Sequence, residues 1–404
     1  MRQFRLPFRL VGLATIWIGA SSPPDASAGT DEGRSTTDVK VLATPEGGIQ
    51  PQAAADDRGM IHMVYFKGDP AGGDLYYCRL EPGSERSSPP VRVNSQPGSA
   101  IAIGTIRGGQ IAVGRGGRIH VAWNGSNGAR PRNPAGSNPM LYTRSRSGPD
   151  GRVTAFEPQR NLMQQTSALD GGGTIAADRA GNVYVAWHGR TEDAGPGEAA
   201  RRMWVVRSKD DGATFSAEEP ALESPTGACA CCGTRALADR DGTLFLLYRA
   251  ATGGVDRDMY LVRSDDRGGH FRGESVHPWR AEVCPMSSAT LADSGPGVLA
   301  AWETRGQVYF SRVDPETRRP GPPISPAGGR GDRKHPAVAG NVRGETILVW
   351  TEGTGWQKGG SLAWQVFDRP GNPIEREGRI ENGVPVWSLA TVVARPDGGF
   401  VIIH

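Results

Sequence analysis

Thr174–Trp187 reads TIAADRAGNVYVAW. Two runs of alternating apolar residues flank a turn containing Asp178, Gly181 and Asn182, residue types that tolerate positive φ. The stretch is a β-hairpin that ends in an aromatic. The pattern returns at Pro51–Phe66 (PQAAADDRGMIHMVYF), Gln110–Trp123 (QIAVGRGGRIHVAW), Arg235–Tyr248 (RALADRDGTLFLLY), Ala289–Trp302 (ATLADSGPGVLAAW), Pro336–Trp350 (PAVAGNVRGETILVW) and Ser388–His404 (SLATVVARPDGGFVIIH). Copies recur about every 50–60 residues, the range of propeller blades. A lone hairpin cannot bury its apolar face, whereas a ring of hairpins can.

A third strand follows six of the hairpins, at Leu75–Leu80, Met140–Ser145, Met203–Ser208, Met259–Ser264, Gln307–Arg312 and Leu362–Phe367. Weaker fourth strands follow, as at Pro90–Val93 and Phe215–Ala221. Val39–Leu42 has this outer-strand character without a blade of its own, and the last hairpin has no outer strand after it. The two ends therefore complement each other. Pairing Val39–Leu42 with the final hairpin closes the ring and leaves no open sheet edge. The expected fold is an all-β propeller of seven blades; six blades, with one copy misread, is the alternative.

Residues 1–28 stand apart. Arg2, Arg5 and Arg9 precede the apolar run Leu10–Ala20, and Ala26-Ser27-Ala28 fits a small-x-small cleavage site. The expectation is a secreted or periplasmic protein, with its signal peptide cut near Ala28 and residues 29–37 as a disordered lead-in. Residues 38–404 then form one propeller domain. The run Leu10–Ala20 is too short to span a bilayer, and no membrane span is expected. The net charge of +3 falls further without the signal, and no Lys/Arg stripe stands out. Nucleic acid is therefore not an expected partner, and a monomer is expected.

Ser208–Phe215 (SKDDGATF) fits S-x-D-x-G-x-T-[FW], and Ser264–Phe271 (SDDRGGHF) fits except at His270. These Asp-box patterns make the chain resemble the sialidase-like β-propellers with bacterial neuraminidase repeats. The resemblance implies a glycan ligand at the axial mouth and, in its strict form, an exo-sialidase glycoside hydrolase. It also implies an Arg-Ile-Pro motif whose arginine grips a carboxylate. The corresponding place here is Ile49-Gln50-Pro51, with Ile49 where the arginine belongs. An aliphatic side chain cannot form that bidentate pair.

Propeller topology sorts the loops by face. The residues before each inner strand and after each second strand emerge together around the axis, which predicts a pocket there. Glu303 and Glu352 are the candidate catalytic carboxylates on neighbouring blades, with Arg107, Arg235 and Arg249 to hold an acidic group. His188, Asn124, Lys67 and Trp387 are expected to line the pocket, for a glycan or another small anionic or polyhydroxyl ligand. A non-catalytic envelope binding or scaffold propeller is one alternative, and a propeller with a Cys-rich soft-metal or redox site is another.

Four of the five cysteines lie on two loops of this face, Gly227–Thr234 (GACACCGT) and Ala281–Ser287 (AEVCPMS). Three arrangements are open. One is a disulfide across blades four and five, most simply Cys232–Cys284 or Cys229–Cys284. The second is a Cu or Zn site formed by Cys229, Cys231, Cys232 and Cys284, completed by Met286 and His335. The third is a vicinal Cys231–Cys232 disulfide. Cys78, on a third strand, is expected to be a buried free thiol.

Overall fold

The computed structural model describes residues 37–404, apart from positions 283, 296 and 329–330. The signal pattern and residues 29–36 of the lead-in lie outside the described residues. Thr37 is buried and donates its hydroxyl proton to Glu345 (2.7 Å). Among the described residues no helix is long and apolar enough to cross a membrane.

Seven sheets form the seven blades of the propeller. Each begins with an inner strand: Ile49–Ala55, Gln110–Val113, Thr174–Ala177, Arg235–Ala238, Thr290–Asp293, Arg333–Gly340 and Thr391–Ala394. The hairpin returns through Ile61–Lys67, Ile119–Asn124, Val183–Gly189, Leu244–Arg249, Val298–Thr304, Thr346–Glu352 and Phe400–Ile403. Antiparallel third strands follow in blades one to six.

Burial follows the hairpin pattern. All six residues of Ile119–Asn124 and all seven of Val183–Gly189 are buried, because the second strand is covered by neighbouring blades on both faces. Seven apolar clusters fill the seven clefts between blades. Trp123 and Leu141 pack with Val64 and Phe66 between blades one and two, and Trp302 packs with Phe245 and Leu247 between blades four and five. The last cluster joins Val393, Val401 and Ile403 of blade seven to Met63, Tyr65 and Cys78 of blade one. The core is thus annular, and each blade depends on two neighbours.

Ring closure follows the expected pairing, with one added feature. Val39–Leu42 lies beside Phe400–Ile403, from Val39 opposite Phe400 to Leu42 opposite Ile403, and the two run parallel. The reason is directional. Inner strands run from the mouth to the opposite face, so a strand leading into Ile49–Ala55 must finish at the mouth. Second strands finish there too.

The turn Ser208–Phe215 is held by its own side chains. Asp210 accepts from the Thr214 amide (2.8 Å) and hydroxyl (2.6 Å), and Ser208 Oγ accepts from the Gly212 amide (2.8 Å). Gly212 has φ of 75°, where an L side chain would be strained. Phe215 turns back edge-on to Tyr142, with ring centroids 4.9 Å apart. In the turn Ser264–Phe271, Asp266 accepts from the amide (2.8 Å) and ring (2.6 Å) of His270 in the same way.

Candidate functional site

The axis is open at one end and filled at the other. A cavity of about 810 Å³ is lined by half-buried inner-strand residues, including Ala53, Leu237 and Ala292. It extends to the hairpin turns opposite the mouth, where Asp57, Arg179, Arg240 and Asp293 lie. Two ion pairs tie turns of different blades on this rim: Arg179 to Asp57, and Arg240 to Asp293 (2.9 Å).

At the mouth, the loop Thr105–Gly109 fills the axis. Ile106 is 6 % exposed and lies against Gly171 and Gly233, which lead into blades three and four. A space of only about 20 Å³ remains there, between Gln50, Ile106, Arg235 and Leu389. Gln50 fastens the plug: its Nε2 donates to the carbonyls of Ala102 (2.5 Å) and Trp387 (2.7 Å), and its Oε1 accepts from the Gly108 amide (2.7 Å). The wide axial pocket expected at the mouth is therefore replaced by a plug, because a loop leading into blade two folds inward across the axis.

A smaller pocket of about 240 Å³ lies on the mouth face, lined by Arg107, Asn124, Asn138, Asp170, Leu169 and Trp356, among others. Asn124 donates to the Asp170 carbonyl (2.7 Å). Arg107 is engaged by three acceptors: Nε donates to the Asp170 carbonyl (2.7 Å), and its Nη groups bond to the Ile103 carbonyl and the Asp170 carboxylate. Trp356 is 55 % exposed and meets Trp387 edge-on, with centroids 4.7 Å apart. Sequence reasoning missed Trp356 and Asp170; the signal was an aromatic in the loop after the sixth hairpin.

The other candidates are placed differently. Arg235 reaches Gln52 (2.5 Å) and Gln110, and loss of hydration lowers its pKa to about 10. Arg249 is buried over the Trp279 ring, donates to the carbonyls of Arg257 (2.8 Å) and Glu303, and lies 3.5 Å from the Glu303 carboxylate. Burial raises the pKa of Glu303, which also accepts from the Gly306 amide (2.7 Å). Glu352 is held by Arg333 (3.3 Å), Arg379 (3.0 Å) and Trp350 Nε1 (2.8 Å). Lys67 pairs with Glu46 (2.5 Å). His188 is fully buried, accepts from Arg201 (3.3 Å) and has its pKa lowered to about 3 by burial. Arg235 lines the inner end of the axial cavity; the other side chains brace the blades and line neither that cavity nor the mouth-face pocket.

The sulfur atoms converge. Cys231 and Cys284 form a disulfide between the loops leading into blades four and five. This corrects the expected pairings: Cys229 and Cys232 point inward and are buried, whereas Cys231 faces the Cys284 loop. The vicinal Cys231–Cys232 bond is likewise absent. Cys229 Sγ lies 3.3 Å from Cys232 Sγ and 3.5 Å from Cys231 Sγ. The hydrogen bond from Cys229 holds the Cys232 thiol below its ordinary pKa, aided by the Arg249 charge. Donor atoms of Cys229, Cys231 and Cys284 lie within 4.8 Å of one another, but the disulfide leaves Cys231 and Cys284 without thiolates to offer Cu or Zn. His335 is buried beside Ser288 (3.4 Å), outside that group, with its pKa lowered to about 3 by burial. Met286, at φ 46°, is half-buried in the Cys284 loop. Cys78 is a buried free thiol, with its pKa raised to about 12 by burial.

The fold is a seven-bladed β-propeller like that of solved sialidases. The chain is similar to the Trypanosoma rangeli sialidase in complex with the inhibitor DANA, at 12 % identity and a TM-score of 0.51 over 80 % of this chain and 57 % of that one. It thus spans little more than half of that sialidase. A Hadza microbial sialidase matches at 14 % identity and a TM-score of 0.49, over 80 % of this chain and 69 % of that one. An ulvan lyase matches at 13 % identity and a TM-score of 0.44, over 76 % of each chain. No protein-family model matches the chain, and no curated protein matches it in sequence.

Proposed function

We propose that this propeller binds a neutral or weakly acidic glycan in the mouth-face pocket, as a non-catalytic module of a secreted or periplasmic protein. One observation carries the reading: the exposed indole of Trp356 borders a pocket furnished with Asn124, Asn138, Asp170 and Arg107. An aromatic face covers the apolar side of a sugar ring, while planar amides and carboxylates pair with its hydroxyls. Arg107 is already paired with the Asp170 carboxylate, and Arg235 and Arg249 lie outside this pocket, which argues against a carboxylate clamp within it. Glu303 and Glu352 are held by arginines, which argues against hydrolysis. Export and a monomeric state belong to this reading through the N-terminal pattern and the closed ring.

The test is retention on a panel of immobilised neutral and acidic polysaccharides. Binding to at least one neutral glycan, weakened at least tenfold by Trp356→Ala, supports the reading. Retention unchanged by Trp356→Ala, or release of sialic acid from a fluorogenic sialoside, overturns it.

A further inference from the structure

The four mouth-face cysteines have an arrangement that a structural crosslink does not require. The disulfide is accessible, with Cys284 exposed and Cys231 half-buried. Directly beneath it lies a reduced pair, Cys229 and Cys232, 2 % and 3 % exposed. Cys229-Ala230-Cys231-Cys232 gives that pair C-x-x-C spacing, and its sulfurs are in contact at 3.3 Å. Cys229 also touches the disulfide, 3.5 Å from Cys231 Sγ. The loop is held in place: Glu198 accepts from the Ala230 amide (2.7 Å), the Arg249 carbonyl from the Cys229 amide (2.9 Å), and the Ser287 carbonyl from the Gly233 amide (2.9 Å).

We propose that these cysteines form a thiol–disulfide relay, in which the disulfide migrates from Cys231–Cys284 to Cys229–Cys232. Exchange proceeds by thiolate attack on a disulfide sulfur. Cys229 passes its proton to the Cys232 thiolate and attacks Cys231 Sγ. The Cys229–Cys231 bond forms, the Cys231–Cys284 bond breaks, and Cys284 leaves as a thiolate toward solvent. Cys232 then yields its proton to water and attacks Cys229 Sγ, forming Cys229–Cys232 and releasing Cys231. Two electrons have moved from the buried pair to the exposed pair with no outside oxidant. Cys284 can next attack an external disulfide, releasing one of its thiols. Cys231 attacks Cys284 Sγ, releases the second thiol and restores Cys231–Cys284. The partner class is a disulfide-bearing peptide or low-molecular-weight disulfide.

The full chain is equilibrated in glutathione redox buffers, alkylated at acid pH and mapped by mass spectrometry. The expected result is two single-disulfide forms, Cys231–Cys284 and Cys229–Cys232, in proportions that change with the buffer. Finding Cys231–Cys284 as the sole single-disulfide form at every ratio overturns the proposal. As a second readout, stoichiometric reduction of a fluorophore-coupled glutathione disulfide is expected to fall at least tenfold in Cys229→Ser and to stay unchanged in Cys78→Ser. Equal loss in both variants, or none in Cys229→Ser, also overturns it.

Discussion

Arg249 and Glu303 meet across the boundary between blades four and five, Nη2 3.5 Å from Oε2, with each side chain 2 % exposed. Two buried charges on neighbouring blades depend on each other for solvation. Removing one leaves the other unpaired, at a cost of roughly 3–5 kcal/mol. Arg249→Leu is expected to lower the urea midpoint strongly, and Arg249→Leu with Glu303→Leu to recover much of the loss. A double variant no more stable than the single one would refute this coupling.

Glu303 also carries a pH dependence. Burial raises its folded pKa above 4.5. Its contribution is fully present below the unfolded pKa and is lost as pH rises through the folded value. The stability of wild type relative to Glu303→Gln is therefore expected to fall as pH rises from 4 toward neutrality. A difference that is flat or rises in urea titrations across that range contradicts the assignment.

His188 and His335 act in the opposite sense. Burial lowers both to about 3 from 6.5, so their contribution is present above 6.5 and is lost as pH falls toward 3. Each is expected to cost about 1.4 kcal/mol per pH unit in that window. His335→Gln should flatten the loss of stability between pH 6.5 and 5, measured by denaturant unfolding.

The Cys231–Cys284 bond closes a sequence separation of 53 residues. Cys284→Ser is expected to lose about 2–4 kcal/mol. Adding reductant should bring wild type toward the variant's thermal midpoint; a wild type insensitive to reductant would exclude a stabilising crosslink.

Val41 pairs with Ile402 and packs against the blade six–seven cluster. Val41→Asp places a charge in that cleft and frees the edge of the last hairpin. A lower thermal midpoint with increased light scattering is expected; unchanged values would show that the ring closes without this strand.

The sequence alone determined the blades. Period-2 alternation and turn residues such as Asp178 and Gly181 are local signals, so Thr174–Trp187 reads as a hairpin without its neighbours. Repetition then implied the ring, and the unmatched ends implied its closure through Val39–Leu42. The same repetition brought the Cys229–Cys232 loop beside Cys284. Only the tertiary structure decided which cysteine faces Cys284, that Ile106 fills the axis, that Glu303 is buried against Arg249, and that Trp356 borders a pocket with Arg107. Those outcomes depend on how loops from different blades fold over one another, and such contacts carry no period along the chain.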